Sequence, residues 1–146
     1  MNDQNSGLKQ GELTEKILGV YYDVYNELGP GFIESVYEKA LAIALREAGL
    51  QVQTQFSIPV WFRGQLVGNF SADVLVNGMV LLELKAVKTL DMVHQAQLMH
   101  YLKATVIEVG LLLNFGGRPE FRRIVFENER KRIRENPRKS AVGFSP

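Results

Sequence analysis

Three charges interrupt segments that otherwise read as buried strands: Asp73 in Ala72-Asp73-Val74, and Glu83 and Lys85 in Leu82-Glu83-Leu84-Lys85-Ala86. Burying an unpaired carboxylate or ammonium costs several kcal/mol, so such groups need a partner, a metal or a task. Glu83 and Lys85 are two residues apart and therefore share one face of a strand. Two carboxylates and a lysine meeting at a sheet edge suit metal-assisted hydrolysis of a phosphodiester. The carboxylates would hold a hard divalent ion, which polarises the phosphoryl group and acidifies a bound water. The lysine would stabilise charge at the attacking water or in the transition state. The same three groups would also serve as an Asp/Glu–Lys ion pair bracing the sheet, and their spacing alone leaves both readings open.

Whether Asp73 joins the other two depends on the turn at Asn77-Gly78. A two-residue loop would set Asp73 opposite Leu82, on the face away from Glu83. A three-residue loop, Val76-Asn77-Gly78 with Gly78 left-handed, would pair Asp73 with Leu81 and bring it to the face of Glu83. The second register also sorts the side chains. Val74, Val76, Val80, Leu82 and Leu84 form one apolar face, and Asp73, Glu83 and Lys85 gather on the other. The bulged turn is therefore the expected one.

The elements around this segment follow from periodicity. Apolar residues at helical spacing predict a helix over 14–28, with Thr14 as N-cap, ended by Gly29-Pro30-Gly31. A second helix is predicted over 32–48, where an i, i+3, i+4, i+7 stripe holds for four turns before Gly49. Strand chemistry follows at 52–61, 66–70, 72–76 and 80–87, with hairpin signals at Arg63-Gly64 and Asn77-Gly78. A helix over 90–104 and strands over 106–115 and 121–126 complete the order. Hairpins followed by a strand–helix–strand unit predict an α/β domain, a mixed sheet with helices packed on it.

The chain of 146 residues is enough for one domain with a core of its own. It has no cysteine, which excludes disulfides, thiolate metal sites and a cysteine nucleophile. Its two histidines, His94 and His100, are too few for a three-histidine site and read as surface residues. A metal would be held mostly by oxygen, which points to Mg²⁺ or Mn²⁺. No apolar run approaches the ~18 residues of a membrane span, and the N-terminus lacks the pattern of a secretory signal. A cytoplasmic protein without a membrane partner is expected. The net charge of +1 is uneven: residues 1–50 carry an excess of acid, and residues 118–146 hold 9 basic against 4 acidic side chains. Such a basic end can attract phosphates or form a solvated tail.

Asp73 followed by Glu83-Leu84-Lys85 resembles the D…(D/E)xK signature of the PD-(D/E)xK nuclease superfamily, although Ala72 stands where the superfamily's name has proline. Gly31-Phe32-Ile33-Glu34-Ser35-Val36-Tyr37 resembles the motif of the GxxExxY family within it, and Gln97-Leu98-Met99-His100-Tyr101 is similar to the QxxxY motif of RecB-type nucleases. The resemblance implies a restriction-endonuclease-like αβββαβ core with an extra N-terminal helix. It implies Asp73 and Glu83 as metal-binding carboxylates, the Leu84 carbonyl as a further ligand, Lys85 as the catalytic lysine, and Glu34 as the acidic residue aimed at the metal from the first core helix. Gln97 and Tyr101, one helical turn apart, would orient Lys85 or touch a phosphate, or else form a surface pair. Lys88, Lys103, Arg122 and Arg123, with the run over 130–134, are candidate nucleic-acid contacts. The expected organisation is a flexible lead over 1–11, a nuclease-like domain over 12–128 and a basic tail over 129–146. The expected function is Mg²⁺- or Mn²⁺-dependent hydrolysis of nucleic acid, DNA ahead of RNA, with a homodimer admissible. The alternative is a catalytically silent nucleic-acid- or partner-binding module of the same fold.

Overall fold

The computed structural model describes residues 8–131; residues 1–7 of the expected lead and 132–146 of the expected basic tail lie outside the described residues. In chain order the elements are α1 (Gly11–Leu28), α2 (Glu34–Glu47), β1 (Val52–Phe62), β2 (Gln65–Val76), β3 (Val80–Lys85), α3 (Met92–Lys103), β4 (Val109–Asn114) and β5 (Glu120–Val125), then a 3₁₀ turn at Asn128–Arg130. One five-stranded sheet runs β1-β2-β3-β4-β5. Only β3 and β4 are parallel, and α3 connects them. The expected mixed α/β sheet is therefore present.

Local chemistry explains most element ends. α2 closes in a Schellman motif: Gly49 donates to the Arg46 carbonyl at 2.9 Å and Leu50 to that of Leu45 at 3.1 Å, with Gly49 at φ 87°. Arg63 and Gly64, both left-handed, turn β1 into β2. α3 starts with a capping box, in which Asp91 caps the helix and His94 Nδ1 accepts the Asp91 backbone N–H at 3.2 Å. His94 is therefore part of a cap as well as partly surface-exposed. Two expectations need correction. α1 begins at Gly11, and Thr14 is buried inside it, bonding back to the Gly11 carbonyl at 3.1 Å instead of capping. The segments 66–70 and 72–76 form one continuous strand, long enough to pair with β1 along its length and with β3 at its end.

α1 and α2 cover one face of the sheet and α3 the other. The first core joins Ile17, Tyr21, Tyr37, Leu41 and Leu45 to Val74, Val80, Leu82, Leu111 and Leu113. The second joins Leu98, Tyr101 and Leu102 to Leu75, Leu81 and Leu112. Gly110 lets α3 approach closely, since a Cβ there would lie 2.9 Å from the Leu98 side chain. Asn114, fully buried, acts as a pin behind β3. Its Oδ1 accepts from the Val87 amide at 3.0 Å and its Nδ2 donates to the Val87 carbonyl at 2.8 Å. The Tyr21 hydroxyl donates to the Asn114 carbonyl, tying α1 to the same point. At the C-terminal end, Lys131 Nζ donates to the carbonyls of Thr105 (2.9 Å) and Ile107 (2.6 Å). Lys131, which falls in the expected tail, is thus tied to the domain.

Candidate active site

The β2–β3 turn brings Asp73 and Glu83 together by a register two residues from the expected one. The loop is Asn77-Gly78-Met79, not Val76-Asn77-Gly78, and Val76 pairs with Val80, Leu75 with Leu81 and Val74 with Leu82. Asn77 is held in the loop by the start of β1: its N–H donates to the Gln51 carbonyl at 2.9 Å, and its Oδ1 accepts the Gln51 N–H at 2.8 Å. Continuing the register places Asp73 across from Glu83, where Leu81 was expected. Because positions two apart share a face, the expected side of the sheet is unchanged.

Beyond Val74 and Leu82 the side chains replace the backbone ladder. The Asp73 N–H donates to Glu83 Oε1 at 2.9 Å, and the Leu84 N–H donates to Asp73 Oδ2 at 2.8 Å. Each carboxylate is therefore anchored by an amide of the opposite strand. Burial, then the charge of Asp73, pushes the Glu83 carboxyl up to about 8. Asp73 is also raised, by burial first and then by Glu34, against the lowering effect of the Leu84 amide, Gln55 and Lys85. With both ionised, the two acids would carry more negative charge than Lys85 offsets. A bound dication would relieve that excess, and two hard carboxylates are suited to hold one. Among the described residues no three Asp, Glu or His side chains converge closely enough to form a ligand set by themselves. Further ligands would have to come from backbone, such as the Leu84 carbonyl, from water or from substrate phosphate.

The stretch 31–37 explains how Glu34 reaches this charge. Gly31 sits at φ 114°, which a side chain would oppose. The Tyr37 hydroxyl donates to the Gly29 carbonyl at 2.6 Å and accepts the Phe32 N–H at 3.2 Å. Its ring stacks on Phe115, centroids 4.3 Å apart. Tyr37 is core, as expected, and also clamps the loop that starts α2. Glu34 then opens the helix, exposed, its charge raising both Asp73 and Glu83.

α3 supplies the opposite wall. Gln97 Nε2 donates to the Tyr101 hydroxyl at 3.1 Å, so the hydroxyl proton stays available to another acceptor. Burial, then the charge of Glu83, raises the Tyr101 hydroxyl above its ordinary value. Lys85, Gln97 and Tyr101 line one open cleft of about 960 Å³ between α3 and the β1–β2 hairpin. Lys103 lies in the same cleft, whereas Lys88 is exposed on the segment after β3. The two arginines of β5 divide: Arg122 forms an ion pair with Glu120 at 2.8 Å. Arg123 bonds Thr14 Oγ1 at 3.2 Å and the Lys9 carbonyl, so it fastens β5 to α1 and is not gathered with the site.

Two neighbours escaped the sequence reading. Gln55, left-handed at φ 52°, falls between the pairs Thr54–Val74 and Phe56–Ala72, level with Asp73. It donates to Glu38 at 2.8 Å and accepts from Ser71 at 2.8 Å, and it lowers the Asp73 carboxyl against the effect of burial. Glu38 is raised by burial and then by Asp73. Glu34 and Glu38 are one helical turn apart, which was the available signal. Nothing in the spacing marks Gln55, because a left-handed non-glycine residue inside a strand has no pattern of its own.

A mixed sheet carrying an acidic pair and a lysine beside an open cleft defines an α/β protein with a carboxylate–lysine centre. The model of the PD-(D/E)XK nuclease superfamily matches residues 11–124, and the chain belongs to that superfamily. The mixed sheet with three helices is consistent with a restriction-endonuclease-like fold with an N-terminal helix. No curated protein and no solved structure matches the chain. Among the described residues no helix is long and apolar enough to cross a membrane.

Proposed function

We propose that this chain is a divalent-metal-dependent phosphodiesterase acting on nucleic acid, of the GxxExxY type. The observation that carries the reading is the mutual anchoring of Asp73 and Glu83 on opposite strands, with Lys85 on the same face. Asp73 and Glu83, with the Leu84 carbonyl and Glu34 as further oxygen donors, would hold Mg²⁺ or Mn²⁺. When bound, such an ion supplies Lewis acidity at the phosphoryl group and a more acidic water. Lys85 donates a hydrogen bond to the attacking water or to a phosphoryl oxygen, stabilising charge as it develops. Gln97 holds the Tyr101 hydroxyl, whose free proton can donate to phosphate. Lys88, Lys103 and Arg122 supply charge to neighbouring backbone phosphates. DNA is the preferred substrate.

The test combines calorimetric titration of Mg²⁺ or Mn²⁺ with cleavage of mixed nucleic-acid substrates. Wild type should bind the ion and cleave; Asp73→Ala and Lys85→Ala should fold normally and lose cleavage by at least roughly 10²-fold. Cleavage that persists in both variants, or in excess chelator, overturns the reading. The second reading, a silent binding module, is favoured by the lack of a three-residue ligand cluster among the described residues. It expects salt-sensitive nucleic-acid binding that survives Asp73→Ala, with no ion bound.

A further inference from the structure

We propose that the cleft between α3 and the β1–β2 hairpin receives a single strand of nucleic acid, making unpaired strands the substrate class of this site. The link to cleavage rests on the nuclease reading above; the binding does not. Lys85, Lys103 and Arg130 supply the cleft's formal charges among the described residues, and none of the described lining residues is acidic. The Lys103 ammonium lies 5.7 Å and the Arg130 guanidinium 5.2 Å from the centre of the Phe126 ring. Those cation–π contacts hold two exposed cations on one part of the wall. Lys85 connects the same cleft to the acidic pair.

The remaining surface of the cleft is mostly apolar and includes a half-exposed aromatic ring. Phe70 is 51% exposed. Its ring packs against the backbone at Gly68, where a Cβ would come within 3.0 Å, and is backed by Tyr101 at 6.2 Å between centroids. A duplex turns its phosphates outward and hides its base faces in the stack. It could engage the cations but would leave Phe70 and the aliphatic floor without a partner. An unpaired strand offers both parts at once: bases to stack on Phe70 and phosphates for Lys103 and Arg130.

The experiment is fluorescence anisotropy on the full chain in chelator, across a salt series. The probes are a labelled single strand of about twelve nucleotides, a duplex of the same sequence and an acidic peptide of matched charge. The single strand should bind at least about tenfold tighter than the duplex or the peptide. Phe70→Ala should weaken single-strand binding roughly tenfold and leave the duplex unmoved. Phe70→Leu keeps the apolar volume and guards against a folding artefact; it should fall between wild type and alanine. Lys103→Ala and Arg130→Ala should each reduce the salt slope by about 0.7. Duplex or peptide bound as tightly as the single strand, or Phe70→Ala without effect in a folded protein, overturns the proposal. Single-strand binding without cleavage in Mg²⁺ would instead sink the nuclease reading and leave this one standing. Duplex cleavage indifferent to Phe70→Ala would do the reverse.

Discussion

The two faces of the central sheet are made by the same strands and are chemically opposite. Toward α1 and α2, Val74, Val76, Val80, Leu82, Leu84, Leu111 and Leu113 are all buried and all apolar. Toward α3 the apolar set Leu75, Leu81 and Leu112 gives way, along the same strands, to Asp73, Glu83 and Lys85. The period of two lets one strand contribute to both without compromise. Hydrophobic burial on the first face stabilises the sheet, and that stability holds two acidic groups close together on the second. The charged face is a local cost: both carboxylates titrate upward because the fold keeps them out of water.

Substitutions on the two faces should therefore separate activity from stability. The largest effect belongs to the charged face. Lys85→Ala should lower cleavage by roughly 10²–10³-fold, the range for losing one transition-state donor, with little change in melting temperature. A matching loss of stability would end the contrast. On the apolar face, Leu82→Ala should cost about 2–5 kcal/mol in denaturant unfolding. Any loss of activity should then track the fraction unfolded.

The next effect is a pH dependence of opposite sense to a salt-bridged carboxylate. Glu83 titrates near 8 when folded and near 4.5 in its ordinary state. Between those values the folded chain keeps a proton that the unfolded chain releases. The contribution is full below about 4.5 and is lost as pH rises through about 8. The melting temperature in chelator should fall across that window, and saturating Mg²⁺ should flatten the decline. Glu83→Gln should remove the slope, leave the chelated protein at least as stable near pH 8, and abolish ion binding. If Glu83 is only a brace, the same substitution lowers the melting temperature. The smallest effect is expected of Glu34→Gln. Glu34 is the exposed, outermost donor of the proposed set and also acts on the pair through its charge, so a few-fold loss of ion affinity with unchanged folding should be seen by calorimetry.

Much of this was legible in the residues. Helical stripes, the Arg63-Gly64 turn, the Gly49 terminus and the segregation of Val74, Val76, Val80, Leu82 and Leu84 from the three charges depend on periods of 3.6 and 2 and on left-handed turn positions, which are properties of neighbouring residues. The tertiary structure alone decided the register, because Asn77 is held by Gln51, a residue 26 positions away whose approach no local pattern encodes. It also decided that Arg123 ties down α1, that Gln55 stands level with Asp73 while bonding Glu38, and that Tyr37 clamps the loop before Glu34. Periodicity assigns a side chain to a face. Which group it meets there depends on packing between distant segments, and hydrogen bonds and charge interactions are settled only once those segments have come together.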